Sequence, residues 1–332
     1  MKTATEFGRP EFLLVDFRNI ADTAFYAYLE QNLSVPYEDK ETGQQKQFPT
    51  GAIYGFLKRV LDVLRDFSPD ARVLIAKEGG RTFRHELDAG YKASRKPTHD
   101  TLKAQFGPLT GICRNFGWSV LSVEGYEADD LLATWANCLN QEGRRGLILS
   151  NDKDLLTHIT PTLGALRKGD TGRHNAVMTP EDVVAKHGVP PLLNSQYLAI
   201  VGDGSDEIKG LPGVGPKKAP ELLNKYGSIE GIYAHLEELP KGLREKFENG
   251  RADLEKSIKL ATLISDIPEA VSLLRGPAPE RNMEALRPQL EKLRMGSILT
   301  RIAKEQETPP PSVPAHAGQA VSPTPGVQQE LF

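Results

Sequence analysis

The sequence predicts an α/β fold with a central, mostly parallel sheet flanked by helices, followed by a helical region. Two observations predict this order. In the first half of the chain, short apolar runs of buried-strand type alternate with segments that carry apolar residues at helical spacing. From about Thr179 the strand-like runs stop, and helical segments divided by Gly and Pro continue to about Ala303. A chain of 332 residues can form one large or two modest domains.

The predicted elements follow one another as strand and helix. Strands are expected at 12–15, 73–75, 119–123 and 147–149, with a further one near 163–166. Helices are expected at 50–67, at 101–116 and from about 127 to 139. The run Thr179-Pro180-Glu181-Asp182 has the N-cap, the Pro at N1 and the acids of a helix start. Because ligands bind at the carboxyl ends of parallel strands, polar residues just after these runs are candidate site residues.

Composition excludes several classes of protein. The net charge is −3, so the chain has no global basic surface, and a nucleic-acid partner would bind to local patches. No run approaches the ~18 apolar residues of a membrane span, and the N-terminus lacks the apolar region of a signal peptide. The two cysteines, Cys113 and Cys138, are expected to be reduced core thiols. These features predict a cytoplasmic protein that is not bound to a membrane.

Carboxylates are grouped around the helix at 127–139 and at the ends of the predicted strands. The group consists of Asp16, Glu127, Asp129, Asp130, Asp152 and Asp154. Like charges held together repel, and a hard divalent cation with oxygen ligands would neutralise them. Acids in the first turn of a helix also suit the helix dipole, but this interpretation does not explain the pair that follows the strand at 147–149. A metal site is therefore the favoured hypothesis.

A second set of candidate residues lies at 202–219, in the run GDGSDEIKGLPGVGPKKA. Asp203 and Asp206 are three residues apart, so one helical turn could direct both carboxylates the same way. A tight hairpin between two helices is expected next, and its backbone N–H groups would suit a phosphate. Its candidate phosphate-binding residues are Gly213, Gly215, Lys217 and Lys218. The alternative is a plain Gly-rich connector between helices.

The segment 81–96 interleaves basic and aromatic side chains. Its candidate residues are Arg81, Phe83, Arg84, Tyr91, Lys92, Arg95 and Lys96. Such a mixture suits a surface that follows the backbone of a single strand and stacks on its bases. A solvated helix face is the alternative interpretation.

Six motifs in order resemble the 5′-nucleases, the superfamily of flap endonucleases and 5′–3′ exonucleases that includes the N-terminal nuclease domain of bacterial DNA polymerase I. They are LLVDF at 13–17, PTGAIYGF at 49–56, FRHEL and YKASR within 83–95, GYEADDLLA at 125–133, SNDKDL at 150–155 and the 202–219 run. The resemblance implies a PIN-like α/β core at 1–178 with a helical arch at about 79–105. It also implies a helix-hairpin-helix DNA-binding domain at 179–305. Since no polymerase domain follows, a stand-alone, monomeric enzyme is expected.

The resemblance further implies a two-metal nuclease. Two Mg²⁺ or Mn²⁺ ions ~4 Å apart would hold the scissile phosphate. The implied ligands are Asp16, Glu127, Asp129, Asp130, Asp152, Asp154, Asp203 and Asp206. Lys92 and Arg84 match basic residues near that phosphate, and the hairpin often holds a K⁺ ion in this family. The implied substrates are DNA with 5′ flaps or 5′ ends and RNA primers paired to DNA, in replication and repair.

One departure from the family concerns the residue after the second strand, where an Asp is usual. This chain has Lys77 and Glu78 there. A shift of one residue makes Glu78 the ligand, whereas Lys77 in that position would weaken the metal site. A degenerate paralogue is therefore an alternative, and a non-catalytic binder of DNA junctions is another. An RNase of the related PIN-like fold is disfavoured by the helical region with its hairpin.

The C-terminus ends in a short motif. Residues 306–327 are rich in Pro, Ser, Ala and Gly and are expected to form a disordered linker. The final residues, QQELF at 328–332, resemble the pentapeptide with which bacterial replication proteins bind the sliding clamp. Gln328, Leu331 and Phe332 are the implied clamp-binding residues, and an incidental apolar terminus is the alternative.

Overall fold

The central sheet has the order β5-β4-β1-β6-β7-β8. A computed structural model describes residues 1–39, 41–168 and 175–307. The strands are β1 (Phe12–Asp16), β2 (Ser34–Glu38), β3 (Gln45–Pro49), β4 (Arg72–Ala76), β5 (Ser119–Leu121), β6 (Gly146–Leu149), β7 (Leu163–Lys168) and β8 (Asn175–Met178). The first five strands of the sheet run parallel and only β8 is antiparallel, which confirms the predicted fold class.

In the first half of the chain most strands are followed by a helix, and after β8 the described elements are all helices. They are α1 (Ala4–Phe7), α2 (Phe17–Tyr28), α3 (Gly51–Phe67), α4 (Phe83–Leu87), α5 (Asp100–Asn115), α6 (Ala128–Gln141), α7 (Pro180–His187), α8 (Asn194–Val201), α9 (Lys218–Tyr226), α10 (Ile229–Ala234), α11 (Lys241–Asn249), α12 (Arg251–Ala261), α13 (Pro268–Arg275), α14 (Met283–Lys292) and α15 (Gly296–Glu307). Short 3₁₀ helices occur at Asp154–His158, Pro191–Leu193 and Leu236–Glu238. Within the described ranges, no helix has both the length and the apolar character that crossing a bilayer requires.

Both faces of the sheet are buried because apolar residues fill consecutive positions of its central strands, at 12–15 in β1, 73–76 in β4 and 147–149 in β6. In β1, Leu13 and Val15 belong to the core formed with α2, α3 and α5. Leu14 belongs to the opposite core, formed with α6 and α13. Trp135 of α6 is fully buried there, and its indole N–H donates to the Ala270 carbonyl at 2.8 Å. This arrangement explains why these strands appear as continuous apolar runs rather than alternating ones.

The helical region has a core of its own, formed by apolar residues of α8 to α12. The last three helices return to the α/β unit. Ile267 and Ala270 pack with α6, and Leu286 and Ile298 join the core of α3 and α5. Helices α13 to α15 thus pack on both faces of the sheet.

The antiparallel hairpin of β2 and β3 was not predicted. Most of its side chains are exposed, and Pro36 lies inside β2, which weakens a strand pattern. The antiparallel strand β8 was also missed. Residues 308–332, and with them Gln328, Leu331 and Phe332, lie outside the described residues.

Candidate active site

The acidic residues meet at the carboxyl edge of four neighbouring strands. Asp16 ends β1, Glu78 follows β4, Glu127 precedes α6 after β5, and Asp152 follows β6. Since the sheet order is β5-β4-β1-β6, these side chains come from adjacent strands. The expectation that strand ends carry the site therefore agrees with the arrangement of the chain.

A close approach of two loops sets the position of Glu78. The Gly79 N–H donates to the Tyr126 carbonyl at 3.1 Å. A Cβ at Gly79 would lie 1.7 Å from the Val123 carbonyl oxygen, so only glycine allows this contact. Glu78 then faces the start of α6. Although its side chain reaches solvent, the surrounding protein and the nearby Glu127 carboxylate raise its pKa.

Lys77 points to the other side of the sheet edge. Its ammonium donates to Thr110 Oγ1 at 2.9 Å and lies 4.9 Å from the centre of the Phe17 ring. Burial lowers the pKa of Lys77. Of the two residues after β4, Glu78 is therefore the one directed at the acidic cluster.

Asp16 is held in place from two directions. Its Oδ1 accepts the Asn19 N–H at 3.0 Å and so caps α2, and its Oδ2 accepts the Ser150 hydroxyl at 2.8 Å. Burial raises the pKa of Asp16 to about 6, and the neighbouring carboxylates of Asp152 and Glu78 act in the same direction. The carboxyl group is thus fixed next to other acids rather than paired with a base.

Three more carboxylates are buried beside other acids in the same way. Burial, with repulsion from neighbouring acids, raises the pKa of Asp129, Asp152 and Asp154. Asp129 Oδ1 and Asp154 Oδ1 are buried and lack a hydrogen-bond partner within the described residues. Unpartnered buried carboxylate oxygens are costly, and a divalent cation would satisfy them. The residues present therefore fit a metal.

Asp154, Asp203 and Asp206 form the tightest group. One carboxylate oxygen from each lies within 4.8 Å of the others, and all three residues are buried. Asp203 also accepts the Lys153 ammonium at 2.5 Å and the Ser205 hydroxyl at 2.6 Å. Burial opposes ionisation of Asp203, but these hydrogen bonds outweigh it and lower its pKa.

The turn that carries Asp203 and Asp206 is not the helical turn expected from their spacing. The Asp203 N–H donates to the Ile208 carbonyl at 2.7 Å, and the Ile208 N–H returns a bond to Asp203 at 2.8 Å. This closed loop, with Glu207 at a φ of 57°, directs both carboxylates inward.

Arg84 and Asp130 form a buried ion pair, which corrects two expectations. Arg84 Nη1 and Nη2 donate to the two oxygens of Asp130 at 2.8 and 2.7 Å, and both side chains are 0% exposed. Arg84 also donates to the carbonyls of Leu260 and Thr262 at 3.1 and 2.9 Å. Arg84 is therefore not positioned to contact a phosphate. It joins α4 and α6 to the end of α12.

Asp130 has no free oxygen for a metal. Besides Arg84, its carboxylate accepts the Glu127 N–H at 3.1 Å and the Ile264 N–H at 2.9 Å. It completes the cap of α6 and fixes the chain after α12. Asp130 is a structural residue beside the cluster, and its assignment as a ligand does not fit this geometry.

Basic residues of the 88–96 turn reach into the cluster. Lys92 Nζ lies 3.0 Å from Glu127 Oε2 and 3.7 Å from Asp206 Oδ2. Arg95 Nη2 lies 2.6 Å from Asp206 Oδ1. Burial opposes protonation of Lys92, but Glu127 and Asp206 outweigh it and raise the pKa of its ammonium. These two cations link both parts of the acidic cluster.

The aromatic residues of the segment differ in accessibility. Tyr91 is buried, and its hydroxyl donates to Glu127 at 3.1 Å and lies 3.4 Å from Asp206. It cannot stack on a nucleobase in this arrangement, contrary to its predicted role. Phe83 is partly exposed and lies against the Arg84 guanidinium, 4.6 Å from it. Arg81 and Lys96 are exposed.

The Gly-rich hairpin lies between α8 and α9. Gly213, Lys217 and Lys218 are exposed, and Gly215 is partly exposed. Gly213 has a φ of 78°, which favours glycine. The surface that the sequence predicted is thus available to a ligand.

Three polar residues of the site escaped the sequence analysis. Ser150 holds Asp16, Lys153 holds Asp203, and Glu207 accepts the Ser94 N–H at 2.8 Å and so ties the 88–96 turn to the Asp203 loop. Ser150 and Lys153 stand inside the SNDKDL motif, so their position was a usable signal. Nothing local in the sequence indicates the partner of Glu207.

Comparison with known proteins agrees with this site. Residues 11–188 match the family described as 5′-3′ exonuclease, N-terminal resolvase-like domain, and residues 189–284 match 5′-3′ exonuclease, C-terminal SAM fold. The fold and the acids at its strand ends are those of the 5′-nuclease superfamily. The chain belongs to the 5′–3′ exonuclease family, which confirms the resemblance drawn from its motifs.

Relatives include both short and long proteins. The chain is 35% identical to the 5′-3′ exonuclease of Aquifex aeolicus over 78% of its own length and 87% of that protein. It is 33% identical to the thermostable DNA polymerase I of Thermus thermophilus over 90% of its own length and 35% of that protein. It thus spans about a third of the polymerases that it matches.

The fold is shared with a solved nuclease. A complex of bacteriophage T5 flap endonuclease with DNA and metal ions superposes with a TM-score of 0.56, at 18% identity, over 85% of this chain and 99% of the other. Likeness at this level of identity concerns the fold.

Proposed function

We propose that this chain is a divalent-metal-dependent 5′-nuclease, both 5′–3′ exonuclease and flap endonuclease, that hydrolyses phosphodiester bonds of DNA. The observation that carries the proposal is the pair of adjoining acidic groups at the sheet edge. Asp154, Asp203 and Asp206 form one, and Asp16, Asp129 and Asp152 lie beside it. A protein that only binds DNA gains nothing from negative charge that faces a phosphate.

Two Mg²⁺ or Mn²⁺ ions are the cofactors that the donor set fits. Every donor is a carboxylate oxygen, the ligand type of hard divalent cations. Asp154, Asp203 and Asp206 would hold one ion. Asp16, Glu78, Glu127, Asp129 and Asp152 are the donors for the other. When bound, such ions lower the pKa of an attacking water and stabilise the leaving oxygen.

Lys92 and Arg95 supply the fixed positive charge of the site. Both contact the acids from the 88–96 turn. Each side chain is long enough to donate a hydrogen bond to a phosphate oxygen bound at the same place. Cations already in position stabilise the charge that develops on a phosphate in the transition state. Lys92 keeps the role proposed from the sequence, and Arg95 takes the role first given to Arg84.

The substrates proposed are DNA with 5′ flaps or 5′ ends and RNA primers paired to DNA, in replication and repair. Support comes from the relatives named as 5′-3′ exonucleases and from the T5 flap endonuclease bound to DNA. The segment at about 79–105 would form the arch for a 5′ single strand. Gly213, Gly215, Lys217 and Lys218 would hold duplex backbone without reading its sequence. The protein is proposed to act as a monomer.

A cleavage assay tests the proposal. A duplex with a labelled 5′ flap is incubated with wild type in Mg²⁺, in Mn²⁺ and in EDTA. Asp154→Asn should lower the cleavage rate by at least about 100-fold, while Asp70→Asn, which removes an exposed carboxylate paired with Arg9, should leave it unchanged. Cleavage that persists in EDTA, or at the wild-type rate in Asp154→Asn, contradicts the proposal. Binding without cleavage in either metal supports the degenerate or junction-binding alternative.

The C-terminal motif is proposed to bind a bacterial sliding clamp through Gln328, Leu331 and Phe332. The residues between α15 and this motif would then act as a tether that raises the local concentration of enzyme at DNA ends. Deletion of 328–332 should leave cleavage of free oligonucleotides unchanged and abolish binding to the clamp, measured by surface plasmon resonance. Equal clamp affinity with and without these residues would refute the motif.

A further inference from the structure

The two cations of the 88–96 turn share their partners with the proposed metal ions. Lys92 Nζ lies 3.0 Å from Glu127 Oε2, and Arg95 Nη2 lies 2.6 Å from Asp206 Oδ1. Both acids are among the proposed metal donors. A divalent cation bound to these oxygens weakens the two ion pairs, because it neutralises the carboxylates that attract the side chains. The ion pairs alone therefore cannot keep the turn in place when metal ions bind.

A second contact holds the same turn without using a proposed metal donor. The Ser94 N–H donates to Glu207 Oε1 at 2.8 Å. The Ser94 hydroxyl and the Lys92 N–H also interact with this carboxylate and, with the Ser94 N–H, lower its pKa. Among the described residues, Glu207 is the sole acceptor outside the turn for the backbone N–H groups of 92–96. Since Ser94 lies between Lys92 and Arg95, this contact fixes the backbone that carries both cations.

The protein keeps this contact in spite of strain and desolvation. Lys92 has a φ of 53° and Glu207 a φ of 57°. Lysine and glutamate rarely adopt this left-handed region, and such strain persists where neighbouring contacts fix it, often at functional sites. Glu207 Oε2 is buried and has no hydrogen-bond partner within the described ranges, which costs free energy that a solvated acid would not lose.

We propose that Glu207 is a positioning residue that keeps the 88–96 turn at the active site when metal ions and a phosphate bind. This inference rests on the proposed nuclease function and deepens it. The metal ions take the acids that pair with Lys92 and Arg95, while Glu207 continues to hold Ser94. The released ammonium and guanidinium then stay within reach of the phosphate instead of moving into solvent. Glu207 itself does not touch the phosphate.

Hydrogen exchange tests the anchoring without cleavage. Amide exchange of 92–96 is measured by mass spectrometry on the full chain, with and without Mg²⁺. Glu207→Gln keeps an acceptor for the Ser94 N–H, and Glu207→Met has a similar length without one. Glu245→Met, which removes a 52% exposed acid of α11, is the control. Mg²⁺ should leave the exchange of wild type, Glu207→Gln and the control unchanged, and it should accelerate that of Glu207→Met by about tenfold.

Single-turnover cleavage of a labelled flap duplex at saturating Mg²⁺ tests the consequence for the reaction. Glu207→Met should lower the rate by about tenfold, and Glu207→Gln should stay within about twofold of wild type. In a Lys92→Met background, the further loss caused by Glu207→Met should shrink to about threefold, because one of the two cations that it positions is already absent. Mn²⁺ affinity in calorimetry should not fall in either Glu207 variant.

Four results would overturn the inference. They are exchange in Glu207→Met that does not respond to Mg²⁺, equal cleavage rates of Glu207→Met and Glu207→Gln, an undiminished tenfold loss in the Lys92→Met background, and a lower Mn²⁺ affinity of Glu207→Gln, which would make Glu207 a metal ligand. If wild type cleaves in neither Mg²⁺ nor Mn²⁺, the nuclease proposal itself fails, and the wild-type reaction shows this independently of the Glu207 variants.

Discussion

The buried pair of Arg84 and Asp130 gives the sharpest test of this structure. Arg84→Met removes a guanidinium that bonds both oxygens of Asp130 and the carbonyls of Leu260 and Thr262. It leaves a carboxylate without its counter-charge in a site with 0% exposure. Removal of one partner of such a pair costs about 3–5 kcal/mol of unfolding free energy.

The double variant Arg84→Met/Asp130→Leu separates the cost of an unpaired buried charge from the cost of the lost hydrogen bonds to the backbone. With both charges gone, the carbonyls of Leu260 and Thr262 still lack donors, so a cost of about 1–3 kcal/mol should remain. The double variant should therefore be more stable than Arg84→Met alone. Arg287→Met is a matched control, because it breaks an exposed pair with Glu291 at 4.0 Å. It should cost under about 0.5 kcal/mol.

Urea unfolding followed by circular dichroism measures these differences from the transition midpoint and slope. Isothermal titration calorimetry with Mn²⁺ then distinguishes a residue that only stabilises the fold from a residue that binds the metal. Asp130→Asn should lower stability but keep Mn²⁺ affinity close to wild type, whereas Asp154→Asn should lose it. An Arg84→Met variant within about 1 kcal/mol of wild type, or loss of Mn²⁺ binding in a fully stable Asp130→Asn, would refute the assignment of this pair as structural.

Three further predictions concern the acidic cluster and its supports. Burial raises the pKa of Asp16 from 3.8 to about 6, so its ionisation destabilises the metal-free fold by up to about 3 kcal/mol; that cost is absent below about pH 4 and complete above about pH 6. Mg²⁺ should therefore raise the melting temperature more at pH 7.5 than at pH 5, and equal shifts at both pH values would contradict this. Lys92→Met should lower kcat by about 100-fold in single-turnover flap cleavage, and it should also raise Mn²⁺ affinity in calorimetry by removing a competing cation; unchanged Mn²⁺ affinity would speak against the contact of this lysine with the acids. Gly79→Ala should cost about 2–3 kcal/mol in urea unfolding, because its Cβ would lie 1.7 Å from the Val123 carbonyl oxygen, whereas Gly107→Ala in a helix with open space should stabilise by up to about 1 kcal/mol; similar values for the two variants would disprove the close approach.

Short-range patterns predicted most of the sheet. The apolar runs that became β1, β4 and β6 are buried on both faces, so composition alone identified them. Asp16 and Asp152 were recognised as site residues because each follows such a run. The exposed hairpin at 34–49 was missed, since strands whose side chains mostly face solvent carry little apolar pattern.

Contacts between distant residues decided the roles within the site. Arg84 and Asp130 have the residue types of a phosphate contact and a metal ligand, and only their mutual pairing shows that neither group is free. Tyr91 has the residue type of a stacking surface, but the fold buries it against Glu127. The composition of a segment indicates which chemistry is available, not which side faces solvent.

Local sequence therefore determined the parallel strands, their terminal acids and the Gly-rich hairpin, because these depend on the periodicity and turn preference of neighbouring residues. The tertiary structure decided which acids remain unpaired and which cations reach them. Arg84 meets Asp130, for example, although 46 positions separate them in the chain. Burial and pairing depend on residues brought together from distant parts of the chain, and no local pattern encodes that proximity.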